Sequence, residues 1–288
     1  MTMIDGKAFS QERLLDVAGH VLQAYFKAPQ TTVRSDKKAM VVSGEEAKPI
    51  IEFVEKLEAK LGTEAVKNAF FPLYVDYQCV KVATDNGYPP VILLLGADLT
   101  KADLGWNCGS CGFQTCGEFT KYKKKHGGMG RHSAGPSCSW KTLDYGLACD
   151  YACAAAGELN VDNRILGSLG FICDALGYMD DVSITLAYVL GPPEELWWYN
   201  RPSLKKWSTP EQHKDLLRNN YTFHYQMFST DLKPQVKKGD SWWEEPEEFV
   251  KIGPDKEFTE FKGKIGDAIG ETIVELRPKV EDLKSKMK

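Results

Sequence analysis

No apolar run in this 288-residue chain approaches membrane-spanning length; Val91-Ile92-Leu93-Leu94-Leu95 is the size of a buried strand. No sign of charge dominates. The 36 Lys and Arg against 40 Asp and Glu leave a formal −4, which gives no global footprint for nucleic acid. The N-terminus lacks an apolar stretch of the kind that marks a signal peptide, so a cytoplasmic location is expected, where the eight cysteines stay as thiols or ligands. No Ser/His/Asp set, phosphate-cradling glycine loop, dinucleotide fingerprint, internal repeat or low-complexity tract stands out. What remains is an ordinary soluble composition, long enough to bury a sizeable core.

The cysteines carry the chemistry. Cys108, Cys111 and Cys116 stand in C-x2-C-x4-C spacing, and Cys138 follows after a basic stretch. Three closely spaced thiols with a distant fourth suit a cubane iron–sulfur cluster, because soft thiolates match iron in a sulfide cage. Gly109 and Gly112 let the backbone wrap, so that amide N–H groups can face cluster sulfurs. A structural zinc site also takes four cysteines, usually as two short pairs, and the second pair is missing here. The expected ligands are therefore Cys108, Cys111, Cys116 and Cys138, holding one 4Fe–4S cluster, with zinc as the alternative. A cysteine-ligated cluster further suggests an anaerobic host.

Cys79, Cys149, Cys153 and Cys173 remain. No local triplet organises them, and free cysteine packs like a small hydrophobe, so they are expected in the core. Lys121-Tyr122-Lys123-Lys124-Lys125-His126 and Arg131-His132 fill a basic loop between Cys116 and Cys138. Such cations favour the reduced, more anionic cluster and can steer an acidic redox partner such as a ferredoxin or flavodoxin; a plain solvated face is the competing reading. Asp162-Asn163-Arg164 reads either as an anion-holding site or as a structural set, with Asp162 capping a helix and Arg164 pairing with a carboxylate. Arg201 either closes a pocket or anchors the end of the core.

Periodicity predicts helices near 12–27, 45–61, 140–158 and 258–287, with a further helix from Asp162 to Leu176. Strands are predicted near 38–43, 72–80, 91–97 and 183–190. The order is that of an α+β fold. Residues 1–201 are expected to form the core, with the cysteine loop at 105–138. Residues 202–288 are expected to add a Trp- and Pro-rich wrap and a C-terminal amphipathic helix, docked on the core or on another subunit.

The string Cys108-Gly109-Ser110-Cys111-Gly112-Phe113-Gln114-Thr115-Cys116 resembles the four-cysteine module of Rnf-type electron-transport subunits and corrinoid iron–sulfur proteins. A wider resemblance, over residues 10–201, is to a ferredoxin-domain-containing prokaryotic family. It is carried by Lys27-Ala28-Pro29, the Cys108 triplet, Cys138 with Leu143-Asp144-Tyr145-Gly146-Leu147-Ala148, Val161-Asp162-Asn163-Arg164 and Tyr199-Asn200-Arg201. Ala28-Pro29, Asp144-Tyr145-Gly146-Leu147-Ala148 and Ala154-Ala155-Ala156 are also similar to the nitroreductase-like fold. That likeness implies a nitroreductase-like core with the cysteine loop inserted, a homodimer, and FMN as a candidate cofactor. The Arg-Ser-Arg motif for the flavin phosphate is absent, and Gln30-Thr31-Thr32-Val33-Arg34 replaces the expected Ser-x-x-Asn-x-Gln.

These readings converge on a cytoplasmic 4Fe–4S protein that transfers single electrons. A flavin and iron–sulfur oxidoreductase is the second expectation, and a structural metal module of a larger complex the third.

Overall fold

Val91–Ala97 is an unbroken apolar run, and every residue of it is buried, which requires cover on both faces of the sheet it joins. In the computed structural model, which describes residues 3–32, 36–129, 133–193, 197–200, 235–237, 249–251 and 256–287, that cover is helical. The chain forms α1 (Gly6–Glu12), α2 (Leu14–Lys27), β1 (Lys37–Val42), a 3-10 turn (Gly44–Ala47), α3 (Lys48–Leu61), α4 (Thr63–Ala69), α5 (Phe71–Asp85) and β2 (Val91–Ala97). It continues through α6 (Cys116–His126), β3 (Gly128–Met129), β4 (Ala134–Gly135), α7 (Ser139–Glu158), β5 (Asn163–Leu166), α8 (Gly167–Leu176) and β6 (Ile184–Leu190). Then come α9 (Trp197–Asn200), β7 (Gln235–Lys237), β8 (Phe249–Lys251) and α10 (Lys256–Ser285).

The main sheet has four strands in the order β1-β2-β6-β5, each pair antiparallel. Alternation along the two central strands divides the core. Ile92, Leu94, Ala187 and Val189 face α3, α5, α8 and α10, whereas Leu93, Leu95, Tyr188 and Leu190 face α2 and α7. Each helix earns its place by spacing: Leu14, Ala18, Val21 and Tyr25 on α2, and Ile50, Phe53, Val54 and Leu57 on α3, are buried at three- and four-residue steps. The result is a mixed helix-and-sheet fold in three layers.

Several expectations need correcting. The segment near 72–80 is helix α5, not a strand. Its aromatic and β-branched residues suggested a sheet, but Leu73, Tyr74, Tyr77 and Val80 are buried at helical intervals and Pro72 sits in the first turn. Asp162 does not cap a helix running on from it, because Asn163–Leu166 pairs as an edge strand with β6 and Leu166 is the N-cap of α8. The basic stretch after Cys116 is the helix α6 and not a loop. Helix α10 docks on this chain's own core: Ile265, Ala268, Leu276 and Val280 are buried, and Lys56 and Lys60 of α3 pair with Glu271 and Glu275. Of the expected wrap, β7 and β8 pair as a short hairpin, while Trp242-Trp243 and Arg201 lie outside the described residues.

Candidate metal centre

Residues 98–138 leave the end of β2 and return to α7, and they carry the four cysteines that the spacing singles out. All four line one pocket, about 360 Å³ when its open mouth is counted but enclosing only about 10 Å³, together with Ala102, Leu104, Trp106, Phe113 and Trp140. The burial is graded: Cys108 is exposed, Cys111 and Cys116 are half-buried, and Cys138 is buried. Apolar walls around four sulfurs make a setting of low dielectric, where nearby charges and dipoles act strongly.

Local chemistry explains the shape. Gly109 and Gly112 adopt φ of 73° and 86°, the left-handed region where a side chain would be strained. Asn107 is also left-handed, and its Oδ1 accepts the Cys116 amide at 3.0 Å. The Cys138 amide donates to the Leu99 carbonyl at 2.8 Å. Ser139 Oγ donates to Ser110 O at 3.0 Å, joining the cysteine triplet to the start of α7. Phe113 packs edge-on against the fully buried Phe119, centroids 5.6 Å apart.

Two helices begin at cavity-lining cysteines. Thr115 caps α6 through a capping box with Glu118, which makes Cys116 its first residue, and Cys138 is the N-cap of α7. The partial positive charge of both N-termini therefore lies beside the sulfurs, where it favours any anionic group they hold. The Thr115-x-x-Glu118 signature was legible in the sequence but not read there. Trp106 and Trp140 were also missed, and no sequence signal distinguishes them from core tryptophans.

Among the described residues, no group of three or more His, Cys, Asp or Glu side chains is placed to hold a metal ion as it stands. Four cysteine thiols are the donor set of a structural zinc site and of a four-iron cage alike. The donor set and the walls fit such a group, and one buried donor in the wall is unmatched: Trp140 Nε1 has no partner among the described residues.

The other sequence candidates fall elsewhere. Cys79 and Cys173 lie in the core on one face of the sheet, Cys149 and Cys153 on the other, so they form no common set. Burial pushes the Cys149 thiol up to about 12 and raises those of Cys153 and Cys173. Asp162 accepts the Trp198 amide at 3.1 Å, and Arg164 donates to the Trp198 carbonyl at 3.0 Å. Both anchor the chain after β6. His126 stacks on Tyr122, and Arg131 and His132 lie outside the described residues.

A second, polar cavity of about 920 Å³, again counting its mouth, is lined by Asp36, Lys37, Lys38, Thr100, Lys101 and Ser183 among others. It abuts the cysteine cavity across a short stretch of backbone: Thr100 and Lys101 line one, Ala102 the other. Desolvation lowers the Lys37 amine, against the pull of Asp144. Asp144 is fully buried and accepts the amides of Thr31 and Thr32, both at 2.8 Å.

Residues 134–191 match the family described as "Uncharacterized protein containing a ferredoxin domain (DUF2148)". The match takes in Cys138, Asp144 and Arg164 and begins after the Cys108 triplet. Over this segment the resemblance drawn from the sequence holds. An "Uncharacterized protein" of Archaeoglobus fulgidus is 28% identical over 178 residues, covering 62% of this chain and 86% of that one. A nitroreductase with bound FMN from Desulfitobacterium hafniense DCB-2 aligns at 14% identity over 72% of this chain and 88% of that one, with a TM-score of 0.31. A superposition at that score carries no argument about this chain.

Proposed function

We propose that this chain binds one 4Fe–4S cluster through Cys108, Cys111, Cys116 and Cys138 and passes single electrons between partner proteins. The observation that carries the reading is the shared, apolar-walled cavity of those four thiols. The ferredoxin-domain match over residues 134–191 supports iron–sulfur chemistry at a coarse level. When bound, the cluster supplies a couple that gains or loses one electron at a time.

The chain's own residues do the rest. The N-termini of α6 and α7 offset the negative charge of the thiolates, and Trp106, Phe113 and Trp140 limit water. Exposed Cys108 and Trp106 keep the centre near the surface, within reach of a docked partner. Lys121, Lys124 and Lys125 are exposed on α6, which starts at Cys116, and give an acidic partner such as a ferredoxin or flavodoxin a complementary face. They also suit the negative end of their own helix.

A second reading rests on the polar cavity beside the cysteines. A small polar molecule held by Lys37, Lys38 and Lys101 would lie next to the centre, and the chain would then be an oxidoreductase on a nitroreductase-like scaffold, with FMN as the candidate cofactor.

An absorption spectrum of anaerobically purified protein, before and after dithionite, tests both. Broad brown absorption that bleaches, with four irons per chain and loss of colour in Cys108→Ser, Cys111→Ser, Cys116→Ser and Cys138→Ser but not in Cys149→Ser, is the expected result. A structured yellow flavin spectrum promotes the oxidoreductase. A colourless protein holding zinc overturns both.

A further inference from the structure

Trp140 stands in the first turn of α7, two residues after Cys138, and lines the cavity of the four thiols. Its Nε1 is buried and meets no acceptor among the described residues. Indole nitrogen is a donor only. A buried donor left unmatched costs about 1–3 kcal/mol, so its place in the fold calls for an explanation. Trp106, itself about half exposed, meets the ring edge-on, with centroids 6.1 Å apart and an interplanar angle of 72°. Neighbouring donors are already committed, Ser139 Oγ to Ser110 O, the Cys116 amide to Asn107 and the Cys138 amide to Leu99. Of the other buried polar atoms without a partner among the described residues, Gln11 Oε1 and Thr272 Oγ1, neither residue lines this cavity.

We propose that Trp140 Nε1–H donates a hydrogen bond to a sulfur of the cluster held by Cys108, Cys111, Cys116 and Cys138, and so acts as a positioning residue that favours the reduced state. The inference rests on the cluster reading above. No acceptor among the described residues, the cysteine sulfurs included, lies within hydrogen-bond reach of Nε1, so the acceptor would be one that the bound cluster brings. Reduction adds negative charge to the group, and a hydrogen bond to an anion strengthens as its charge grows, the more so between apolar walls. Trp140 would therefore raise the reduction potential.

The test compares wild-type and Trp140→Phe holoprotein, since phenylalanine keeps an edge-on aromatic and removes the N–H. Redox titration followed by electron paramagnetic resonance should show the Trp140→Phe midpoint displaced to more negative potential. The reduced-to-oxidised ratio at a fixed poise should fall severalfold, less than the worth of a whole charge-assisted hydrogen bond, because the bond is made in both states and only its strengthening on reduction moves the midpoint. An unmoved or more positive midpoint overturns the proposal while leaving the cluster reading intact. Should Trp140→Phe fail to take up a cluster, the readout is pulsed resonance on reduced Trp106→Phe protein carrying indole-15N tryptophan. There Trp140 is the tryptophan left lining the cavity, and its nitrogen should couple to the cluster spin; no coupling overturns the proposal. Wild-type protein that binds no cluster at all overturns the function reading first.

Discussion

The Nζ of Lys141, fully buried, lies 2.9 Å from Oδ1 of Asp103 and ties the first turn of α7 to the loop that walls the cysteine cavity. Asp36 Oδ2 approaches the same Nζ at 3.2 Å. The two carboxylates are 39% and 44% exposed while the lysine has no exposure, so the ammonium is the member of the set that water cannot reach. The asymmetry predicts an inverted mutational order. Lys141→Met leaves two carboxylates that solvent can reach and should cost about 1–2 kcal/mol, whereas Asp36→Ala with Asp103→Ala strands a buried cation and should cost about 3 kcal/mol or more. Urea unfolding of the variants, compared in the same loading state, reads the difference; equal losses would show that the ammonium is not the costly partner.

Thiol reactivity should divide the cysteines into two classes. In metal-stripped protein near pH 8, iodoacetamide should modify exposed Cys108 first. Cys149, held up at about 12 by burial, and Cys173, buried and also raised, should react only on unfolding. In protein purified anaerobically without stripping, Cys108, Cys111, Cys116 and Cys138 should all be protected. Peptide mass spectrometry gives the order, and labelling of Cys149 ahead of Cys108 would contradict the burial described here.

Two helical glycines should respond in opposite directions. A Cβ on Gly170 would collide with the Thr185 carbonyl oxygen and come within 3.1 Å of Leu186 Cα, because α8 lies directly on β6. Gly170→Ala should therefore cost about 1–3 kcal/mol. Gly146, in the middle of α7, has nothing among the described residues within 4 Å of that position, so Gly146→Ala should stabilise by about 1 kcal/mol. Thermal unfolding of both variants decides. A loss at Gly146 would mean that something outside the described residues, a second copy for instance, packs on that face of α7.

What the sequence made legible follows its periodicities. Helices α2, α3, α7 and α10 and strands β2 and β6 announced themselves because one stripe or one run of each is buried; β1, where only Val42 is buried, was legible without that. Helix α5 did not, since Tyr74, Val75, Tyr77, Val80 and Val82 favour strands locally and only tertiary packing selects the helix. The edge strand β5 was hidden behind Asp162, whose carboxylate looked like a cap but binds the Trp198 amide from beyond β6. The cysteine set was legible as spacing. Its setting was not: the wall contributed by Trp140, the bridge from Ser139 to Ser110 and the Lys141 anchor all join segments distant in sequence, and such pairings leave no local mark.

Glu275 gives the clearest pH dependence. Hydrogen bonds from Lys56 at 2.6 Å and Lys60 at 2.9 Å, with their charges, hold its carboxyl down from 4.5 to about 2. A carboxylate more acidic when folded binds fewer protons than in the unfolded chain, so its contribution is complete above about 4.5 and fades as the pH falls toward 2. The pair lies at the surface, so its contribution is modest and screened by salt. Amide exchange in α10 should therefore accelerate in the wild type as the pH is lowered from 5 to 3, after correction for intrinsic exchange rates. Glu275→Gln should exchange faster at pH 5 and show a flatter dependence, so that the two proteins converge in acid. Added salt should narrow the gap at pH 5. A gap that persists unchanged to pH 3 would mean that α10 is held by Ile265, Ala268, Leu276 and Val280, with the ion pair contributing nothing through its charge.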